Sequence, residues 1–190
     1  MNDLESTLHQ YPIIASVRNL MDFSLALESK SDNIFLLTGN IFNLKEMSHQ
    51  VLEKNKNLFV LIDNIDGFSK DTWGLEFIAK NIILDGIISS KDSILKLSKE
   101  MGIYTIGLYP IYNTLELEKS TERIAETRPH MGIISPGIFP EIITDISDKT
   151  HLPLIASGFI RQKSDIINAI NAGAVGIATS RFTDPKIFYP

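Results

Sequence analysis

Eight short apolar runs recur along the chain: Pro12–Val17, Asn33–Thr38, Leu58–Asp63, Ile83–Ser89, Ile103–Tyr109, Met131–Ser135, Pro153–Ser157 and Ala174–Thr179. Most are rich in Ile, Leu and Val and nearly continuous rather than alternating. Strands buried on both faces look like that, and parallel sheets covered by helices produce them. Between the runs, apolar residues fall three or four apart: Leu20, Phe23 and Leu27; Leu44, Met47 and Val51; Ile94, Leu97 and Met101; Leu115, Leu117 and Ile124; Ile138, Ile142 and Ile146; Ile166, Ile167 and Ile170. That spacing predicts amphipathic helices. Asp92-Ser93 stands at a helix N-cap position, Ser164 is placed to cap a helix over Asp165–Ala172, and Gly173 sits where a helix C-terminus favours glycine. Met101-Gly102-Ile103 repeats the same junction of helix end and strand start.

Each run and the stretch after it make one strand plus one covering helix. Eight such units predict an α/β fold, a compact (β/α)8 TIM-type barrel forming a single domain over residues 1–190. The barrel is small for a fold of typically ~250 residues, so loops must be tight. Its last unit is shortened, because Phe182–Pro190 holds two prolines and little room for a helix. A doubly wound open sheet is the alternative architecture.

Composition narrows the function classes. There is no cysteine among the 190 residues, which excludes disulfides and thiolate metal sites. The acidic N-terminus lacks the basic start and apolar run of a secretory signal. No apolar stretch nears the ~20 residues needed to cross a bilayer, so a cytoplasmic protein without a membrane partner is expected. The formal net charge of -5 runs against a general nucleic-acid binder. An RNA-binding role needs a local basic face, for which Arg18, Lys91, Arg161, Lys163 and Arg181 are the candidates, all near strand C-termini.

In such barrels the ligand face lies at the C-terminal ends of the strands. The residues there are small, polar and glycine-rich. Ser157-Gly158 and Thr179-Ser180 follow the seventh and eighth runs, the usual seat of phosphate, with hydroxyls and N–H groups as donors. Gly137, after the sixth run, offers either a tight turn or close approach to a ligand. Arg18 and Lys91 supply charge. Asp63, Asp66 and Asp71 suggest a general base, a ligand for Mg²⁺, a hydroxyl acceptor or helix caps. The four histidines are scattered, and His130 and His151 fall on the opposite face. No metal-binding spacing, strand lysine, nucleophile elbow or Walker loop is present, so no catalytic residue, metal or cofactor is assigned. A barrel enzyme acting on a phosphorylated metabolite, of isomerase, epimerase or aldolase type, is the alternative reading.

The order of motifs resembles that of the glycerol uptake operon antiterminator regulatory proteins, the glycerol-3-phosphate-responsive antiterminators. The pieces are Pro12-Ile13-Ile14-Ala15, Leu36-Leu37-Thr38-Gly39-Asn40-Ile41, Ile62-Asp63, Asp66-Gly67-Phe68-Ser69-Lys70-Asp71, Asp85-Gly86-Ile87-Ile88-Ser89, Pro136-Gly137-Ile138-Phe139-Pro140, Gly158-Phe159-Ile160, and Ala172-Gly173-Ala174 leading to Thr179-Ser180. The resemblance implies a regulator rather than an enzyme. It implies glycerol 3-phosphate as regulatory ligand and a leader mRNA as partner, so that transcription continues past a terminator. It places Gly137, Ser157, Gly158, Thr179 and Ser180 at the phosphate, with Asp63, Arg18 and Lys91 at the polyol end or supplying charge. The chain departs from the family pattern on the rim: Leu61 replaces a histidine, Lys91 an arginine, and Gly107-Leu108 a Gln-Arg pair. Ser157-Gly158 stands for Gly-Gly, Ala178-Thr179-Ser180 for Ser-Thr-Ser, and Phe188-Tyr189-Pro190 for a terminal tryptophan. This is the pattern of a divergent member with an altered ligand or output. Phe182, Phe188 and Tyr189 are expected to be exposed and to offer a surface to a second copy in an oligomer.

Overall fold

A computed structural model describes residues 4–67 and 69–188. Eight strands close a parallel barrel: β1 (Ile13–Val17), β2 (Asn33–Leu36), β4 (Asn57–Leu61), β6 (Gly86–Ser89), β7 (Thr105–Pro110), β8 (Met131–Ser135), β9 (Leu154–Ser157) and β10 (Ala174–Thr179). Closure is made by β1 on β10, in the register Ile13↔Ile177 to Ala15↔Thr179. Two short strands, β3 (Gly39–Asn40) and β5 (Ile65–Asp66), pair separately in the loops after β2 and β4. The predicted barrel is therefore the observed one, and all eight apolar runs are its strands.

The helices are α1 (Leu4–Gln10), α2 (Leu20–Glu28), α3 (Ile41–Glu53), α4 (Thr72–Asn81), α5 (Asp92–Glu100), α6 (Thr114–Thr127), α7 (Pro140–Thr150), α8 (Lys163–Asn171) and α9 (Pro185–Phe188). Side chains alternate along each strand between two cores. One set, including Ala15, Val17, Leu36, Val60 and Ile134, packs outward against the helices. The other, including Ile14, Phe35, Phe59, Leu61, Ile88, Ile106, Ile133 and Ile155, fills the barrel interior. Helix α1 plugs the N-terminal end: Leu4 and Leu8 join the interior core, and Thr7 and Asn33 hydrogen-bond at 2.9 Å, with Asn57 extending the ladder at 2.8 Å. With one mouth closed by α1, the other faces solvent and carries the polar loops.

Several local expectations need correction. The pattern named no helix for the segments that form α1 and α4. Helix α8 starts at Lys163 with Gln162 as N-cap, not at Ser164; Asp165 reaches back to accept from the N–H groups of Arg161 and Gln162. Asp92 does not cap α5, because Arg123 from α6 takes its carboxylate at 2.7 Å. Ile138 precedes α7. Gly102 and Gly173 do hold the left-handed conformation that helix ends favour. Phe182 is buried rather than exposed, while Tyr189 and the Phe188 side chain lie outside the described residues.

Candidate functional site

The loops after β9 and β10 enclose a cavity of about 440 Å³ together with the end of β1. Its walls carry Ser16 and Arg18 from β1 and its exit, Ser157, Gly158 and Arg161 from β9 and its loop, and Thr179, Ser180 and Arg181 from β10 and its loop. Four of the five residues expected at the phosphate thus converge here, along with Arg18. The local backbone explains why the loop after β9 can fold this way. Gly158 (φ 83°) and Phe159 (φ 60°) both take left-handed conformations, and a Cβ on Gly158 would stand 2.9 Å from Ser135 Oγ.

Among the described residues, the hydroxyls of Ser16, Ser157 and Ser180 make no hydrogen bond to the protein. Ser16 lines the cavity, and its hydroxyl has no protein partner there. An anionic ligand in the cavity could accept from it. Thr179 Oγ1 accepts from the Arg181 N–H at 3.1 Å, which fixes the turn after β10.

Three guanidinium groups surround these hydroxyls. Arg18 Nε donates to Asp22 at 2.8 Å; that bond raises the Arg18 pKa and holds the Asp22 carboxyl below its ordinary value. Arg181 reaches the Arg161 carbonyl at 3.4 Å and Asp184 at 3.8 Å. Arg161 lies over the exposed Phe159 ring, 5.9 Å from its centroid. An anion entering the cavity meets hydroxyl donors at its floor and fixed positive charge at its edge. A second cavity of about 330 Å³ adjoins it through Arg18, lined by Asn19, Thr38, Gly39, Asn40 and Asp66 among others.

The remaining expected residues stand elsewhere. Gly137 does not line the cavity: its N–H donates to the Ser157 carbonyl at 2.6 Å, and a Cβ there would fall 2.5 Å from the Ser157 nitrogen. Its lack of a side chain lets the β8 loop lie against β9. Asp63 likewise lies off the cavity. Its Oδ1 accepts from Ser89 Oγ at 2.7 Å, and its Oδ2 from the Ser90 N–H at 2.7 Å and Ser90 Oγ at 2.8 Å. Lys91 is exposed on the α5 side of the rim, with its N–H on Ser89 Oγ. Asp66 is exposed on β5 and Asp71 caps α4, so the three aspartates do not form one carboxylate site. Among the described residues no group of three or more His, Asp or Glu side chains gathers as a metal site. Ser16 escaped the sequence reading because one serine inside an apolar run looks like strand filler. Its position two residues before Arg18, on the inward-facing parity, was the available signal.

The family profile of the glycerol-3-phosphate responsive antiterminators matches residues 13–183. This chain belongs to that family. Uncharacterized protein YgcP of Escherichia coli strain K12 is 31% identical over 173 residues, 91% of each chain. The glycerol uptake operon antiterminator regulatory protein of Listeria monocytogenes is 25% identical, with a TM-score of 0.85 covering 90% of this chain and 92% of that one. A related antiterminator-like structure from Thermotoga maritima shares the fold at 23% identity, TM-score 0.80, over 90% and 95% of the two chains. Deoxyribose phosphate aldolase from Aeropyrum pernix shares the fold alone, at 15% identity and TM-score 0.70, over 93% and 87%.

Within the family framework the rim departures acquire places. Leu61 and Leu108 belong to the inward-facing set. Gly107 faces outward beneath Tyr109: a Cβ on it would lie 2.4 Å from the Tyr109 hydroxyl. A larger residue at 107 therefore requires that ring to move.

Proposed function

We propose that this protein is a ligand-responsive antiterminator: a small phosphorylated ligand occupies the cavity after β9 and β10, and the liganded barrel acts on the leader mRNA of glycerol uptake or metabolism genes. Glycerol 3-phosphate is the reference ligand, because the family carries its name. The observation that supports the reading best is the convergence of three unpartnered hydroxyls, on Ser16, Ser157 and Ser180, with Arg18, Arg161 and Arg181 around one cavity.

The RNA surface in this reading is the same face of the barrel. Arg18, Lys91, Arg161, Lys163 and Arg181 ring it, and Phe159 and Tyr112 are exposed there at 63% and 81%. The exposed Phe159 ring beside the Arg161 guanidinium gives an unpaired base something to stack on while the charges neutralise phosphates. This places local positive charge on a chain of net charge -5. A cytoplasmic location follows from a transcript partner; among the described residues no helix is long and apolar enough to cross a membrane.

The test is a gel shift with the leader transcript, with and without ligand, across a salt series. The reading expects a shift that needs ligand and weakens steeply with salt. Ligand binding without any RNA shift would remove the antitermination half and leave a sensor of another output.

A further inference from the structure

The loops after β2 and β4 meet in the small parallel pair of β3 and β5, whose register sets Asn40 level with Asp66. Both residues line the cavity of about 330 Å³ that adjoins the β9–β10 cavity, together with Thr38, Asn19 and Asn43. Asn19 and Asn40 turn their side-chain oxygens to N–H groups at the starts of α2 and α3, and the Asn43 oxygen takes the Asn40 N–H. Those bonds fix which way each amide faces and leave its Nδ2 as a donor. Among the described residues, neither these Nδ2 groups, nor the Thr38 hydroxyl, nor the Asp66 carboxylate makes a hydrogen bond to the protein. Arg18 stands in the walls of both cavities. Asp22 takes one edge of its guanidinium, through Nε at 2.8 Å and Nη2 at 3.4 Å, which leaves Nη1 uncommitted at the border.

The two sides of Arg18 differ in charge. Towards β9 and β10 lie hydroxyls and the guanidinium groups of Arg161 and Arg181, which favour an anion. On the β3–β5 side, the charged group besides Arg18 among the described lining residues is the Asp66 carboxylate. A carboxylate repels phosphate and accepts from a hydroxyl, and amide N–H groups donate to the oxygen of a hydroxyl. Resting on the phosphate reading above, we infer that the site is bipartite: the phosphate lies on the β9–β10 side of Arg18, and a hydroxyl-bearing body extends into the β3–β5 cavity, where Asp66 sets specificity for a hydroxylated phosphate monoester. Asp63, three residues earlier, commits its carboxylate to Ser89 and Ser90, so the polyol end expected there falls to Asp66 instead. The charge difference also orients the ligand, because the reversed pose would set phosphate against carboxylate.

The experiment is calorimetric titration of the full chain and of its D66A variant with glycerol 3-phosphate, n-propyl phosphate and inorganic phosphate under one buffer condition. The first two share three carbons and a phosphate and differ by two hydroxyls. The inference expects the wild-type chain to bind glycerol 3-phosphate at least about tenfold tighter than n-propyl phosphate, the scale of one hydrogen bond to a charged group. Asp66 is exposed, so D66A should fold, and it is expected to shrink that preference to about twofold or less. Equal binding of the two esters by the wild-type chain, or a D66A variant that keeps the preference, overturns the inference while leaving the phosphate site standing. A D66A variant that loses all three ligands equally makes Asp66 a support of its loop and also overturns it. Failure of all three ligands to bind the wild-type chain overturns both the inference and the phosphate reading.

Discussion

Asp63 is tied to Ser90 through both the backbone and the side chain of that residue, with Oδ2 accepting from the Ser90 N–H at 2.7 Å and from its hydroxyl at 2.8 Å. Oδ1 takes Ser89 Oγ, so one carboxylate straps the exit of β4 to the exit of β6. Asn at 63 keeps the size but loses the charge that strengthens these bonds. We expect D63N to lower the unfolding free energy by about 2 kcal/mol, the scale of a charged hydrogen bond, in urea denaturation. Inorganic phosphate affinity should stay within about twofold, because the strap lies off the β9–β10 cavity. A variant of unchanged stability that no longer binds phosphate would give Asp63 a place in the site instead.

Gly137 is the packing counterpart. An added methyl group would press on the Ser157 nitrogen and the backbone carbon of Ala156, at 2.5 and 2.8 Å. Backbone cannot rotate away as a side chain can, so G137A should cost about 1–3 kcal/mol by overpacking. Because the displaced strand carries Ser157, phosphate affinity should fall as well. Calorimetry on the folded variant separates that effect from simple loss of folded protein.

At the opposite end of the barrel, His130 accepts the Thr105 N–H at 3.0 Å and stacks on Tyr104 with ring centroids 4.4 Å apart. Burial, with a smaller contribution from Lys99, holds its pKa below the ordinary value. The unfolded chain therefore takes up this proton at higher pH than the folded one does. Stability is fully present above about pH 6.5 and declines as pH falls from there towards the depressed folded value. Thermal melts between pH 7.5 and 5 should show this slope, and H130Q should flatten it. A wild-type profile that is flat over the same range would contradict the assignment.

Arg161 and Arg181 carry the electrostatic part of the account. If each contacts a transcript phosphate, R161Q and R181Q should each reduce the slope of log affinity against log salt by about 0.7 for single-stranded RNA. Fluorescence anisotropy at several salt concentrations reads this directly. K149Q, whose lysine pairs with Asp145 on α7, serves as a control that should leave the slope unchanged.

The barrel was legible in the sequence because its strands are buried on both faces, which makes each a nearly continuous run of Ile, Leu and Val. Elements that obey other rules were not. Helix α1 is seven residues long and buries only Leu4, Thr7 and Leu8, too few for a periodic signal. Helix α4 carries Trp73 and Phe77 on its exposed side, which blurs the contrast between its faces. The misplaced caps have a nonlocal cause: Asp92 is recruited by Arg123 from another helix, which no local rule anticipates. In the site, the glycine and hydroxyl residues after β9 and β10 were readable from their place at the strand ends. Gly137 and Asp63 end strands in the same way, yet contacts with neighbouring strands hold them in the framework. Ser16 was the reverse case, a cavity-lining residue hidden within a core run.

The central claim is that an anion binds between the loops after β9 and β10. The direct test is an amide NMR titration of the full chain with inorganic phosphate. The account predicts saturable shifts concentrated at Ser16, Arg18, Ser157–Arg161 and Thr179–Arg181, with little change at Asp63, Gly86 or Lys91. Shifts centred on Asp63 and Lys91, or no saturable shift at any residue, would contradict it.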